Sequence, residues 1–178
     1  MKPTMPRALL LPTLALFALS ALGLSGCGEL TEFENEFDTE FTIPKPEKGA
    51  FGFEPYTKKK RFKFDSDPAD AEWARLQRAG LTVLAPQGSD LSFLNRLEVF
   101  VEEADGTLVP LASAEDFAPD ETQRNLTIDY GDDLRPFVRD QRVHLTWVAY
   151  PSNWSFAWPA DGITIRTDVT MRIKADVF

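Results

Sequence analysis

The segment ITIRTDVTMRIKADV, residues 163–177, determines the fold class predicted for this chain. From Ile163 to Val177, apolar side chains and one threonine occupy every second position, and polar or charged side chains lie between them. This period of two, kept over 15 residues, is typical of a strand with one buried and one solvated face. A helix would scatter both sets around its axis, so the segment predicts a long strand.

Shorter segments with the same alternation precede this strand. Residues 97–102 and 126–130 alternate between apolar and polar side chains. Asp105-Gly106 favours a hairpin turn after the first of these segments, with the chain returning through Leu108, Val109 and Leu111. Residues 143–150 are apolar on both faces, which is typical of an interior strand. Together these patterns predict a mainly β fold, an antiparallel β-sandwich (immunoglobulin-like or similar) with one short helix.

The predicted helix begins after Ser66 or Asp67, either of which could cap it, and ends at Gly80. Pro68 suits its first turn, acidic residues lie near its start and arginines near its end. Its buried face is expected to consist of three residues: Ala69, Trp73 and Leu76.

The region before this helix is acidic and rich in phenylalanine. Seven phenylalanines lie between Phe33 and Phe64, so this region is expected to pack on the core rather than stay exposed. Alternation favours a strand from Phe37 to Ile43, although phenylalanines four residues apart also permit a helix in its earlier part. We expect residues 27–36 to form an acidic tether and residues 37–178 a single β-sandwich domain.

Residues 1–26 have the order of a secretory signal: a basic start, an apolar stretch too short to span a bilayer comfortably, and then small residues. Lys2 and Arg7 lie in this segment and no acid does. The remaining chain therefore has 17 basic and 28 acidic residues, a net charge of −11 compared with −9 for the whole chain. Its only basic run is Lys58, Lys59, Lys60, Arg61 and Lys63, so nucleic acid is not an expected partner.

The four residues Leu24-Ser25-Gly26-Cys27 resemble the lipobox of bacterial lipoproteins. The resemblance implies cleavage before Cys27 and acylation of its sulfur, so that membrane lipid becomes a partner. Gly28 stands where an aspartate would imply retention at the inner membrane, so the resemblance implies an envelope protein of the outer membrane. Cys27 is the only cysteine, so we expect no disulfide and no thiolate ligand in the domain.

Few residues suggest a catalytic, cofactor-binding or metal-binding role. The chain has one histidine, His144, within a predicted strand, and it lacks the Gly-x-Ser-x-Gly pattern of a nucleophilic serine. No catalytic residue, cofactor or metal site is therefore predicted. The alternative is a calcium site, for which oxygen ligands suffice: the candidates are Asp129, Asp132 and Asp133, and the group Asp65, Asp67 and Asp70.

Aromatic residues near Pro151 are the remaining candidates for binding. Tyr150, Trp154 and Trp158 could present a ring face to a sugar or to a partner protein. The alternative is that these rings close one end of the core, as large aromatic residues of a small domain usually do. The basic run at 58–61 is expected to be a solvated turn, with contact to lipid headgroups as its alternative, and a short strand is expected around residues 61–65.

These patterns favour a lipid-anchored envelope lipoprotein with a non-enzymatic structural or protein-binding role. The alternative is a module of the cell envelope that binds carbohydrate or calcium. An enzyme is disfavoured because no motif with a known mechanism is present.

Overall fold

The computed structural model describes residues 32–46, 48–49, 52–64, 68, 71–152 and 158–175. Most of these residues lie in strands that form two facing antiparallel sheets, and no helix among them is both long and apolar enough to cross a bilayer. The strands β1–β11, in chain order, are Glu32–Ile43, Lys48–Gly49, Gly52–Phe53, Tyr56–Lys63, Ala71–Ala85, Leu94–Glu102, Leu108–Glu115, Gln123–Asn125, Thr127–Ile128, Arg142–Pro151 and Ile163–Ala175.

The four-stranded sheet has the order β1-β11-β5-β8, and the five-stranded sheet has the order β4-β10-β6-β7-β9. Strands β2 and β3 pair only with each other. The prediction of a mainly β fold and an antiparallel sandwich is confirmed. The interior strand predicted at 143–150 is also confirmed, because β10 lies between β4 and β6.

Strand β11 is the segment that predicted the fold, and it occupies the interior of the four-stranded sheet. Its inward side chains, including Ile165, Met171 and Ile173, are fully buried between the sheets. Arg166 and Arg172 lie on the outer face and are exposed. The predicted division into a buried and a solvated face is therefore confirmed.

The predicted helix ending at Gly80 is wrong, because residues 71–85 form strand β5. The pairing of β5 with β11 shifts register three times, and each shift leaves one extra residue in β5: Glu72, Gln77 and Leu84. The buried residues of this strand are consequently three and two positions apart: Ala71, Ala74, Leu76, Ala79 and Leu81. Steps of three resemble a helical face, which explains the error. The predicted cap and Ala69 lie outside the described residues.

Two further boundaries need correction. Strand β1 begins at Glu32, so residues 32–36, which were assigned to the tether, belong to the sheet. The turn predicted at 58–61 is wrong, because these residues lie in strand β4, which ends at Lys63 within the strand predicted around 61–65. The prediction that phenylalanines before residue 65 pack on the core is confirmed for Phe37, Phe62 and Phe64, which are buried.

The two sides of the sandwich are closed differently. On one side the chain crosses between the sheets, since β8 pairs with β5 and β9 pairs with β7. Leu126, at the crossing, is buried and donates its backbone N–H to the Ala79 carbonyl at 2.9 Å. On the other side β1 and β4 adjoin through aromatic rings, with Phe37 and Phe62 centroids 5.1 Å apart.

Candidate functional site

Two of the three aromatic residues of the predicted site, Tyr150 and Trp158, lie within the described residues. Trp158 is only 6% exposed and packs edge-on against Phe93, with ring centroids 5.0 Å apart. Tyr150 lies half-buried in β10, and the Arg96 guanidinium carbon is 4.6 Å from its ring centroid. Trp154 lies outside the described residues. The position of Trp158 supports the alternative interpretation, in which this ring closes one end of the core.

A groove of about 550 Å³ opens at this end of the sandwich. Its walls come from the loop before β6, the loop after β7 and the segment before β11. Phe93, Phe117 and Trp158 contribute apolar surface, and no lysine or arginine lies among the described lining residues. Its polar residues are Ser89, Asp90, Ser92, Asn95, Asp116 and Ser152. A groove of this size accommodates a small ligand, and these walls disfavour an anionic one.

Asp90 fixes the shape of one wall. Its carboxylate accepts hydrogen bonds from the backbone N–H of Ser92 at 2.9 Å and from that of Asp120 at 2.8 Å, and the Ser92 hydroxyl also donates to it. Burial raises the pKa of Asp90, but these hydrogen bonds outweigh it and hold the pKa below its usual value. Asp90 therefore joins two loops, and the carboxylate of Asp116 is the freer acid of the groove.

One tryptophan beside the groove has a buried indole N–H without a described acceptor. The indole N–H of Trp158 is buried and has no acceptor among the described residues. The indole N–H of Trp147 shares this property, but Trp147 packs between Phe41 and Phe62 in the core rather than beside a cavity. The Trp158 N–H is thus a donor beside the groove, although its burial prevents direct contact with solvent.

The calcium candidates have separate roles. The Asp133 carboxylate accepts hydrogen bonds from the backbone N–H groups of Ala74 and Arg135, both at 3.1 Å, and from the Arg135 guanidinium at 2.6 Å. Asp129 and Asp132 are exposed. Within the described ranges there is no group of three or more His, Cys, Asp or Glu that could hold a metal ion. The group at 65–70 lies outside those ranges.

His144 lies within the described residues, whereas Cys27 does not. His144 is half-buried on the outer face of the five-stranded sheet and opposite Arg61 in β4. Its imidazole makes no hydrogen bond to another described residue, and a general base needs a group that orients it. Cys27 and the lipobox lie outside the described residues.

Sequence reasoning missed the loops that form the groove. The pattern Asp90-x-Ser92 was a usable signal, because an aspartate commonly binds the backbone N–H two residues later. The approach of Asp120, 30 positions away, had no local signal.

Comparison with protein-family models finds no match to this chain, and comparison with curated proteins finds none either.

Proposed function

We propose that the protein is a lipid-anchored envelope lipoprotein whose β-sandwich has a non-enzymatic structural or protein-binding role. One observation carries the proposal: the lipobox-like Leu24-Ser25-Gly26-Cys27 is followed by a sheet whose first strand begins at Glu32. Five residues extend at most about 18 Å, so an acyl group on Cys27 would hold the domain close to the membrane surface.

The charge of β1 supports an orientation for the anchored domain. Glu34, Glu36 and Asp38 are exposed and lie near the proposed attachment point. An anionic lipid surface repels such carboxylates, whereas it attracts basic segments. The anchored domain would therefore stand off the lipid headgroups and leave its faces accessible to another envelope component.

Mass spectrometry of the native protein tests the anchor. The expected N-terminal peptide begins at Cys27 and carries acyl chains, and Cys27→Ala should move the protein from the membrane to the soluble fraction. Ser25→Ala is the matched control, because it keeps a small residue in the lipobox and should leave acylation intact. An unmodified Cys27 in the native protein would overturn the proposal.

Crosslinking in intact cells tests the protein-binding role. We expect a crosslinked partner with the wild-type protein and a weaker yield with Cys27→Ala, because the anchor raises the local concentration of both components. Absence of any partner crosslinked to the anchored wild-type protein contradicts a protein-binding role and leaves a purely structural one.

The groove favours a second candidate, a module that binds a neutral carbohydrate. Asn95 and Asp116 are exposed on its rim, and its three serines and the absence of a described cation suit a ligand rich in hydroxyl groups. Asn95→Ala should weaken binding of neutral oligosaccharides at least about threefold, as expected for one lost hydrogen bond. Asn125→Ala, an exposed asparagine outside the groove, is the control. A neutral-glycan array without signal removes this candidate.

A further inference from the structure

Two edge strands lie side by side on the aromatic side of the sandwich. Among the described strands, β1 pairs only with β11, and β4 pairs only with β10. Phe41 of β1 stacks near Tyr56 of β4, whereas Phe37 lies near Phe62. Residue numbers rise along β1 as they fall along β4, so the two edges run antiparallel to each other.

The outer faces of these edges carry opposite charges. Strand β1 presents carboxylates at alternate positions, at Glu34, Glu36, Asp38 and Glu40. Strand β4 presents Lys59, Arg61 and Lys63 on its outer face, since the intervening Phe62 is buried. Of these seven residues, only Lys59 makes an ion pair within the described part of the chain, with Glu102 at 3.6 Å.

The backbone of β1 has hydrogen-bonding groups that are directed away from its sheet on this side. In an antiparallel edge strand, every second residue directs its N–H and C=O away from the sheet. The Asp38 carbonyl is one of these groups, because it accepts a hydrogen bond from the Lys60 ammonium of β4 at 3.1 Å. The residues whose backbone groups point away from the sheet are therefore the same ones that carry the acidic row.

From these observations we infer that a second copy of this chain docks on the β1/β4 side and forms a two-fold symmetric dimer. Rotation by 180° about an axis parallel to the strands places β1 of one copy opposite β4 of the other. Because β1 and β4 are antiparallel within one copy, the strands that meet are antiparallel as well. Each four-stranded sheet continues into the partner's five-stranded sheet, and the interface is closed.

Charge selects this arrangement over the other edge pairings. Joining β1 to β1 would place two acidic rows side by side, and joining β4 to β4 would do the same with two basic rows. Only the mixed pairing sets each acidic row beside a basic row. Lys60 is exposed, so it can leave the Asp38 carbonyl to a backbone N–H of the partner strand.

The opposing consideration is that inward-pointing lysines protect edge strands from pairing. Lys58 and Lys60 occupy such positions, alternating with the outward basic row. If protection is their effect, the protein stays monomeric. Measurement of the oligomeric state therefore tests the dimer, and the dimer does not depend on acylation of Cys27.

Native mass spectrometry and sedimentation of the full chain in detergent test the dimer. The wild type should be dimeric at micromolar concentration, with a dissociation constant that rises at least tenfold between low salt and 0.5 M salt, because exposed ion pairs are screened. Glu36→Lys with Asp38→Lys, and separately Arg61→Glu with Lys63→Glu, should each raise the dissociation constant more than tenfold.

The variant that carries all four substitutions should again be dimeric. A dimer of this variant would also show that both strands still fold after charge reversal. Arg75→Glu with Arg78→Glu makes the same change in net charge as the β4 variant, but on β5, an interior strand, and should leave the dimer intact. A monomeric wild type overturns the inference. It is also overturned if reversal of one edge leaves the dimer unchanged, or if the combined variant remains monomeric.

Discussion

At the scale of single residues, Gly162 is the position least able to accept a side chain. It has φ +81°, and a Cβ there would lie 2.4 Å from the backbone oxygen of Ile43. A carbonyl within a strand cannot move aside as a flexible side chain can. Gly162→Ala should therefore lower the free energy of unfolding by at least about 2 kcal/mol, from the left-handed backbone and the clash together, as measured by urea denaturation.

Gly106 provides the control for that substitution. Its φ is +90°, but a Cβ there would have no neighbour within 4 Å. Gly106→Ala carries only the backbone cost, about 1 kcal/mol. Equal losses for the two variants would show that the contact with Ile43 has no effect.

Asp133 should contribute stability that depends on pH. Burial raises its pKa, but hydrogen bonds from Ala74 and Arg135 outweigh this and lower the pKa overall. A lowered pKa in the folded state stabilises the fold above the unfolded value, near 3.9, and this contribution is lost as the pH falls through the folded value.

Asp133→Asn should consequently cost about 1–2 kcal/mol at neutral pH. The difference from wild type should be constant above about pH 5 and shrink below about pH 4, because the wild-type carboxyl then becomes neutral too. Unfolding by urea across this range measures it. Asp132→Asn, at an exposed neighbour, should show neither effect, and a difference that grows on acidification would contradict the assignment.

At the scale of elements, Gln77 is an extra residue that interrupts the alternation of β5. Leu76 and Ala79 are both buried although they are three positions apart, so deletion of Gln77 would leave both facing the core in a regular strand. Deletion of Arg75 would instead turn Leu76, or the residues before it, to the other face. We expect the Arg75 deletion to cost at least about 2 kcal/mol and the Gln77 deletion to cost much less. Urea unfolding followed by circular dichroism measures both, and equal losses would contradict this role of Gln77.

Strands β11 and β5 show what the sequence could predict. Strand β11 keeps a strict period of two from end to end of its buried face, so its local pattern identified it. Strand β5 has three bulges fixed by its partner, so its pattern of steps of three and two carries no reliable signal. The helix-like charges and Gly80 then favoured the wrong element. Gly80 instead leaves room for the Asp168 carboxylate on the neighbouring strand.

The candidate surfaces were less predictable than the fold. Trp158 was found from the sequence, but its burial against Phe93 depends on a residue 65 positions earlier. The basic run at 58–63 was visible as charge, whereas its place beside an acidic edge depends on the order of strands in two sheets. The composition gives the number of charged residues, whereas the order of strands in the sheets determines which of them are neighbours.

At the scale of the whole molecule, Phe37 is central to the side of the sandwich where β1 and β4 adjoin. Its ring is buried and lies 5.1 Å from both Phe62 and Phe64. Phe37→Ala should cost about 3–5 kcal/mol, because it leaves a cavity between the sheets. Phe37→Leu keeps most of the volume and should cost about 1.5 kcal/mol. Thermal and urea unfolding measure both, and equal costs would show that volume is not what matters.

The pairing of β1 with β11 also restricts when the protein can fold. It joins positions as distant as Glu32 and Lys174, and β11 separates β1 from β5 in the sheet. During synthesis, the four-stranded sheet therefore has no interior until Ile163–Ala175 has left the ribosome. Contacts this distant in sequence form slowly. The four-stranded sheet of the nascent chain consequently forms only after β11 has been made, whereas every strand of the five-stranded sheet is made before it.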